Sequence, residues 1–104
     1  MGGGRGSMKQ YKIDIAAEII RQFDAGRVVS VPAIGETDRA VKFSEAAEAL
    51  GYTRLPAADI REIVGAVTKA RPELHGVRFV ADPAHPNSTE SLWRTLYITD
   101  LTLD

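Results

Sequence analysis

The chain has 104 residues, 44% of them hydrophobic, and a formal charge of −1, which rises to −2 when Arg5 is set aside with the MGGGRGS leader. That size is one domain with one modest core, and the weak net charge excludes a uniformly basic nucleic-acid coat. The absence of cysteine excludes disulfides, thiol catalysis and cysteine-ligated zinc.

Residues 1–7 read as an expression remnant with no fold of their own, and Met8 as the native start of a single domain over 8–104. No secretory signal, internal repeat or further low-complexity tract stands out. No apolar run approaches the roughly 20 residues of a membrane span. The expectation is a cytoplasmic protein without membrane contact.

Lys9 to Ala25 reads as the first helix. Tyr11, Ile15, Ile19 and Phe23 recur at every fourth position, widened by Ala16 and Ile20, while Asp14, Glu18, Arg21, Gln22 and Asp24 form the wetter side. Gly26 supplies the stop. This face either covers the protein's own core or serves a homodimer. Next, RVVSVPA at 27–33 is a β-branched run ended by proline. Gly35, Glu36, Thr37 and Asp38 give turn chemistry, and AVKF at 40–43 reads as a second short strand; either the two form a hairpin, the favoured reading, or 27–33 is a loop and only AVKF a strand.

The centre of the chain is Phe43 to Leu74. Ser44 is placed to cap a short helix whose first turn carries Glu45 and Glu48. Ala46, Ala47 and Leu50 give that helix a small apolar face, Gly51 ends it, and Tyr52 is placed to pack back on it. A longer helix starts near Pro56, with Ile60, Ile63, Val64, Val67 and Leu74 on one face. Pro72 disfavours helical geometry at Arg71, so the helix ends near Ala70 or Arg71. Its other face holds Ala58, Arg61, Glu62, Gly65, Ala66 and Lys69. Glycine in a helix costs about 1 kcal/mol against alanine, so Gly65 and Ala66 either pack under another part of the domain or keep an outer face flat.

His75-Gly76 reads as a turn and VRFVA at 77–81 as a strand. DPAHPNSTES at 82–91 is a polar loop, and LWRTLYIT at 92–99 alternates like a strand.

Ala47, Gly51 and Ile60, with Leu50 just before the glycine, resemble a helix-turn-helix pattern: a small residue in the first helix, glycine in the turn, a branched apolar residue in the second. Ala57 stands where that pattern usually has valine, and Pro56 is unusual in its turn. With the flanking elements, the order helix, strand, helix, turn, helix, strand, loop, strand resembles the winged helix-turn-helix superfamily over roughly Ile13 to Asp100. The resemblance implies an α+β fold of three helices with a small antiparallel sheet and a wing hairpin at 82–91.

Most members of that superfamily bind duplex DNA through the second helix of the motif; others only bind proteins. The expectation is a small DNA-binding transcription regulator, dimeric, using the helix-turn-helix at 44–71 and the wing. Arg54, Thr53, Ala58 and Arg61 are the residues for base edges, with arginine suited to guanine. Lys69, Lys42 and Arg39 suit the phosphate backbone, as do Asn87, Ser88 and Thr89 in the wing, and Arg78 and Arg94 flank the base of the wing. Asp59 and Glu62 count against this reading because they would repel phosphates, and the wing carries no lysine or arginine at its tip.

The alternative is a winged-helix interaction module without DNA affinity, of the kind that serves as an inhibitor or adaptor, using the Ala58/Gly65/Ala66 face or Trp93 and Tyr97. An enzyme is not expected. His75 and His85 are the only histidines, Asp82 and His85 are too few to define a metal site, and no Gly-rich phosphate loop occurs. No cofactor or metal is expected.

Overall fold

The computed structural model describes residues 8–26, 39–78 and 92–100. In chain order these form α1 (Gln10–Asp24), β1 (Ala40–Lys42), α2 (Phe43–Ala49), α3 (Ala57–Ala70), β2 (His75–Arg78), α4 (Leu92–Thr95) and β3 (Leu96–Thr99). The fold is α+β, with one antiparallel sheet of order β1-β3-β2. Four helices occur among the described residues where three were expected, the extra one being the single turn α4.

The four-residue repeat of α1 lies where the sequence puts it. Ile15, Ala16, Ile19 and Phe23 are buried, with Tyr11 and Ile20 packed at the edges of the same core. They meet Ile60, Ile63 and Val67 of α3, Ala46 and Ala47 of α2, and Val41, Leu96 and Ile98 of the sheet. Gln22 departs from its expected place on the wet side. It is only 8% exposed, and its amide nitrogen donates to Glu18 at 2.7 Å.

Strand β1 runs directly into α2. The residue at the start of α2 is Lys42, in extended geometry and without a side-chain cap. The expected cap at Ser44 is therefore corrected: Ser44 lies inside the helix and is buried. The helix ends as expected. Gly51 takes φ +93°, its N–H donates to Glu48 O at 3.0 Å, and the N–H of Tyr52 donates to Ala47 O at 3.1 Å. These two bonds satisfy carbonyls that the end of a helix otherwise leaves open, and the left-handed backbone they require favours glycine. Leu50, expected on the apolar face, is 40% exposed.

The described partner of β1 is β3. Ala40, Val41 and Lys42 pair with Thr99, Ile98 and Tyr97 of β3, and the segment at 27–33 lies outside the described residues. Strand β2 begins at His75, where a turn was expected; the turn falls earlier, at Pro72 and Glu73. Gly76 is opposite Ile98 and lets α3 approach the sheet, since a β-carbon there would lie 3.0 Å from Leu96 Cδ1 and 3.4 Å from Val64 Cγ1.

Only the second half of the expected 92–99 strand is a strand. Leu92–Thr95 forms one helical turn that buries Trp93 edge-on against Phe43, with ring centroids 6.0 Å apart and planes at 74°. Sheet pairing starts at Leu96, opposite Arg78. No helix among the described residues is long and apolar enough to cross a membrane.

Candidate nucleic-acid interface

Helices α1 and α3 run side by side in the same direction and are tied at both ends. At the first end, Tyr11 Oη donates to Asp59 Oδ2 at 2.7 Å, and Lys12 forms an ion pair with Asp59 at 3.4 Å and a second with Glu62. At the other end, Arg71 reaches back to Asp24 at 2.8 Å and to Glu73 at 2.8 Å. The bond from Tyr11 holds the Asp59 carboxyl below its ordinary range, with Lys12 adding to the effect. The same bond pushes the Tyr11 phenol up, and the Glu62 carboxylate pushes the Lys12 ammonium up. Asp59 and Glu62, the two carboxylates that count against a phosphate-facing surface, are thus committed to α1.

The exposed face of α3 holds Ala57, Ala58, Arg61, Gly65 and Lys69 together with Glu62, whose half-exposed carboxylate is paired with Lys12. A β-carbon at Gly65 would meet nothing within 4 Å, so no other described element packs on it. The pair divides: Gly65 is exposed among the described residues, whereas Ala66 is partly buried against the core.

The expected site residues fall into two groups. Lys42, Thr53, Arg54 and Arg94 come together around a cleft of about 440 Å³, together with Ser44, Glu45, Glu48 and Trp93. They arrive from the end of β1, the segment between α2 and α3, and α4. Arg54 therefore lies three residues ahead of α3 rather than on its exposed face. Ala58 and Lys69 stay on α3. Arg61 lines a second groove of about 230 Å³ with Ile60, Val64, Gly76, Leu92 and Leu96. The single turn of α4 separates the two hollows: Leu92 lines one, Trp93 and Arg94 the other. Asn87 and Ser88, with the whole 82–91 loop and the Asp82/His85 pair, lie outside the described residues.

Arg39 is committed elsewhere. It donates to Phe23 O at 3.3 Å, at the end of α1, with its guanidinium 4.3 Å from the Phe23 ring centroid. Arg78 donates to Thr95 Oγ1 at 3.1 Å. Lys12, Arg21 and Arg71 all pair with carboxylates. Lys42, Arg54, Arg61, Lys69 and Arg94 form no ion pair among the described residues, and Lys42 has only the Tyr97 ring, 6.0 Å away.

Sequence reasoning missed Lys12, the residue that neutralises the first turns of α3. Its position was the available signal: Lys12 precedes Ile15 by three residues and Ile19 by seven, so it lies on the core-facing stripe, where a lysine needs a partner. No group of three or more metal-ligating side chains occurs among the described residues. In comparisons with known proteins, no family model, no curated protein and no solved structure matches the chain.

Proposed function

We propose that the chain is a small winged-helix DNA-binding regulator that sets the outer face of α3 against duplex DNA. The observation that carries this reading is the partition of charge. Among the described residues Lys12, Arg21 and Arg71 are paired with carboxylates and Arg39 with a backbone carbonyl, whereas Lys42, Arg54, Arg61, Lys69 and Arg94 form no ion pair and lie on or beside α3 and α4; Lys9, at the start of α1, is the exception to this partition. Unpaired cations are what release counterions from a phosphate backbone. The order of elements and the sheet order β1-β3-β2 support the winged-helix assignment. Arg61, on the first half of α3, is the base reader, and Lys69, two turns further on, reaches the backbone.

The test is fluorescence anisotropy of the full chain with a random duplex at about 50 and 200 mM salt. Two to four neutralised phosphates predict an affinity loss of roughly 10- to 10²-fold between the two. Arg61→Ala combined with Lys69→Ala weakens binding further. Absence of binding at the lower salt, or binding indifferent to salt, rejects the reading. A homodimer would double the number of unpaired cations per target, and sedimentation with and without duplex measures it.

One observation favours a protein-binding alternative. Leu50 and Ile13 are large apolar side chains 40% and 45% exposed, and Leu50 borders a shallow groove with Asp14, Ala17, Glu18, Arg21 and Tyr52. That surface replaces the Gly65 face as the place for a protein partner. Loss of a captured partner on Leu50→Glu, in a chain that does not bind duplex, would favour it.

A further inference from the structure

We propose that the cleft beside α4 is a single phosphoryl-binding site, with Arg54 and Arg94 gripping one and the same group. The inference rests on the DNA reading for the source of that group, a backbone phosphate, but its chemistry comes from the cleft itself. Three cations from three separate parts of the chain, Lys42, Arg54 and Arg94, line one hollow without an ion pair among the described residues. Guanidinium groups present paired N–H donors that match two phosphate oxygens, a fit that a lysine ammonium lacks. The hydroxyls of Thr53 and Ser44 add neutral donors. Ser44 is only 6% exposed, yet it lines the cleft, and its hydroxyl has no hydrogen-bond partner among the described residues.

Two further features fix the size of the ligand. Glu45 and Glu48 line the same cleft, so among the described residues three positive charges meet two negative ones. A surplus of one charge suits one phosphoryl group and cannot neutralise a run of them. Trp93 is only 8% exposed and its ring is packed edge-on to Phe43, so it offers no open face on which a base can stack. The cleft therefore takes a phosphate without its base. Arg54 is assigned to position the duplex, and base discrimination is left to Arg61.

Trp93 is the chain's only tryptophan, and its emission reports directly on the cleft. The full chain is titrated with a short random duplex and, separately, with inorganic phosphate, recording Trp93 emission and duplex anisotropy across a salt series. Arg54→Ala/Arg94→Ala and Arg61→Ala are compared with the parent. Both cleft arginines are exposed, and circular dichroism checks that the fold is kept.

If the two arginines share one phosphate, removing both lowers the slope of log affinity against log salt by about 0.9. The duplex-induced change in Trp93 emission is then lost in that variant and kept in Arg61→Ala. A fall of about 1.8 means two separate phosphates and overturns the shared site. Duplex binding with an unchanged slope in the double variant and a silent Trp93 overturns the cleft assignment while leaving the α3 reading intact. If no duplex binds but inorganic phosphate moves Trp93 emission in the parent and not in the double variant, the phosphoryl site stands and the DNA reading falls. Silence towards both ligands rejects both.

Discussion

At Gly65 a β-carbon meets nothing, while at Gly76 it lies 3.0 Å from Leu96 Cδ1. The two glycines therefore respond to alanine with opposite signs. Gly65→Ala removes backbone freedom from the unfolded chain at a helical site with open space, and is expected to stabilise by about 1 kcal/mol. Gly76→Ala obliges the Leu96 Cδ1 methyl to give way by a few tenths of an ångström and is expected to cost about 1 kcal/mol. Urea midpoints of the two variants check both signs; a destabilised Gly65→Ala would mean that something covers the α3 face. The sequence marked both glycines, but it left two readings open at Gly65 and took Gly76 for a turn. Glycine serves a turn and a close approach equally well, and only the position of the neighbouring helix tells them apart. Gly51 was legible because its reason is local: a helix ends there, and φ is positive.

The α1–α3 pair shows the same limit among whole elements. The apolar repeats of both helices are local patterns, and their buried faces could be read directly. What joins the helices is not local: Tyr11 and Asp59 are 48 residues apart, Lys12 and Glu62 are 50 apart. Helix α4 was hidden for a different reason. The alternation in LWRTLYIT is genuine, but no described strand faces its first half, and the chain turns helically so that Trp93 reaches Phe43. Lys12→Met tests the junction. It leaves Glu62 unpaired and Asp59 with Tyr11 alone, so the melting temperature is expected to fall. In the proposed interface it also weakens duplex binding, because a freed carboxylate then lies beside Arg61. Unchanged stability would mean that α1 is held by its apolar face only. Reduced stability with unchanged duplex affinity would show that these acids do not bear on the interface.

For the molecule as a whole, the charge of −1 conceals an uneven division among the described residues: carboxylate pairs tie the helices together, and most of the cations without an ion pair lie around α3 and α4. This division sets the response to acid. Arg21 and Gln22 hold the Glu18 carboxyl down to about 2, Tyr11 and Lys12 hold Asp59 below its ordinary range, and Arg71 does the same for Glu73. A carboxyl with a lower pKa in the folded chain than in the unfolded one stabilises the fold above the unfolded value, about 4. That contribution is lost as the pH falls, and for Glu18 the loss is complete only below about 2. Thermal stability is therefore expected to be flat from pH 7 to about 5 and to decline steadily between about 4 and 2. Glu18→Gln isolates one share of it. Arg21 is two-thirds exposed and solvent screens the pair, so the variant is expected to lose no more than about 1 kcal/mol at pH 7. The difference from the parent closes towards pH 2, where Glu18 in the parent is itself protonated. A gap that stayed constant across this range would show that the Glu18 side chain contributes by packing rather than by its charge.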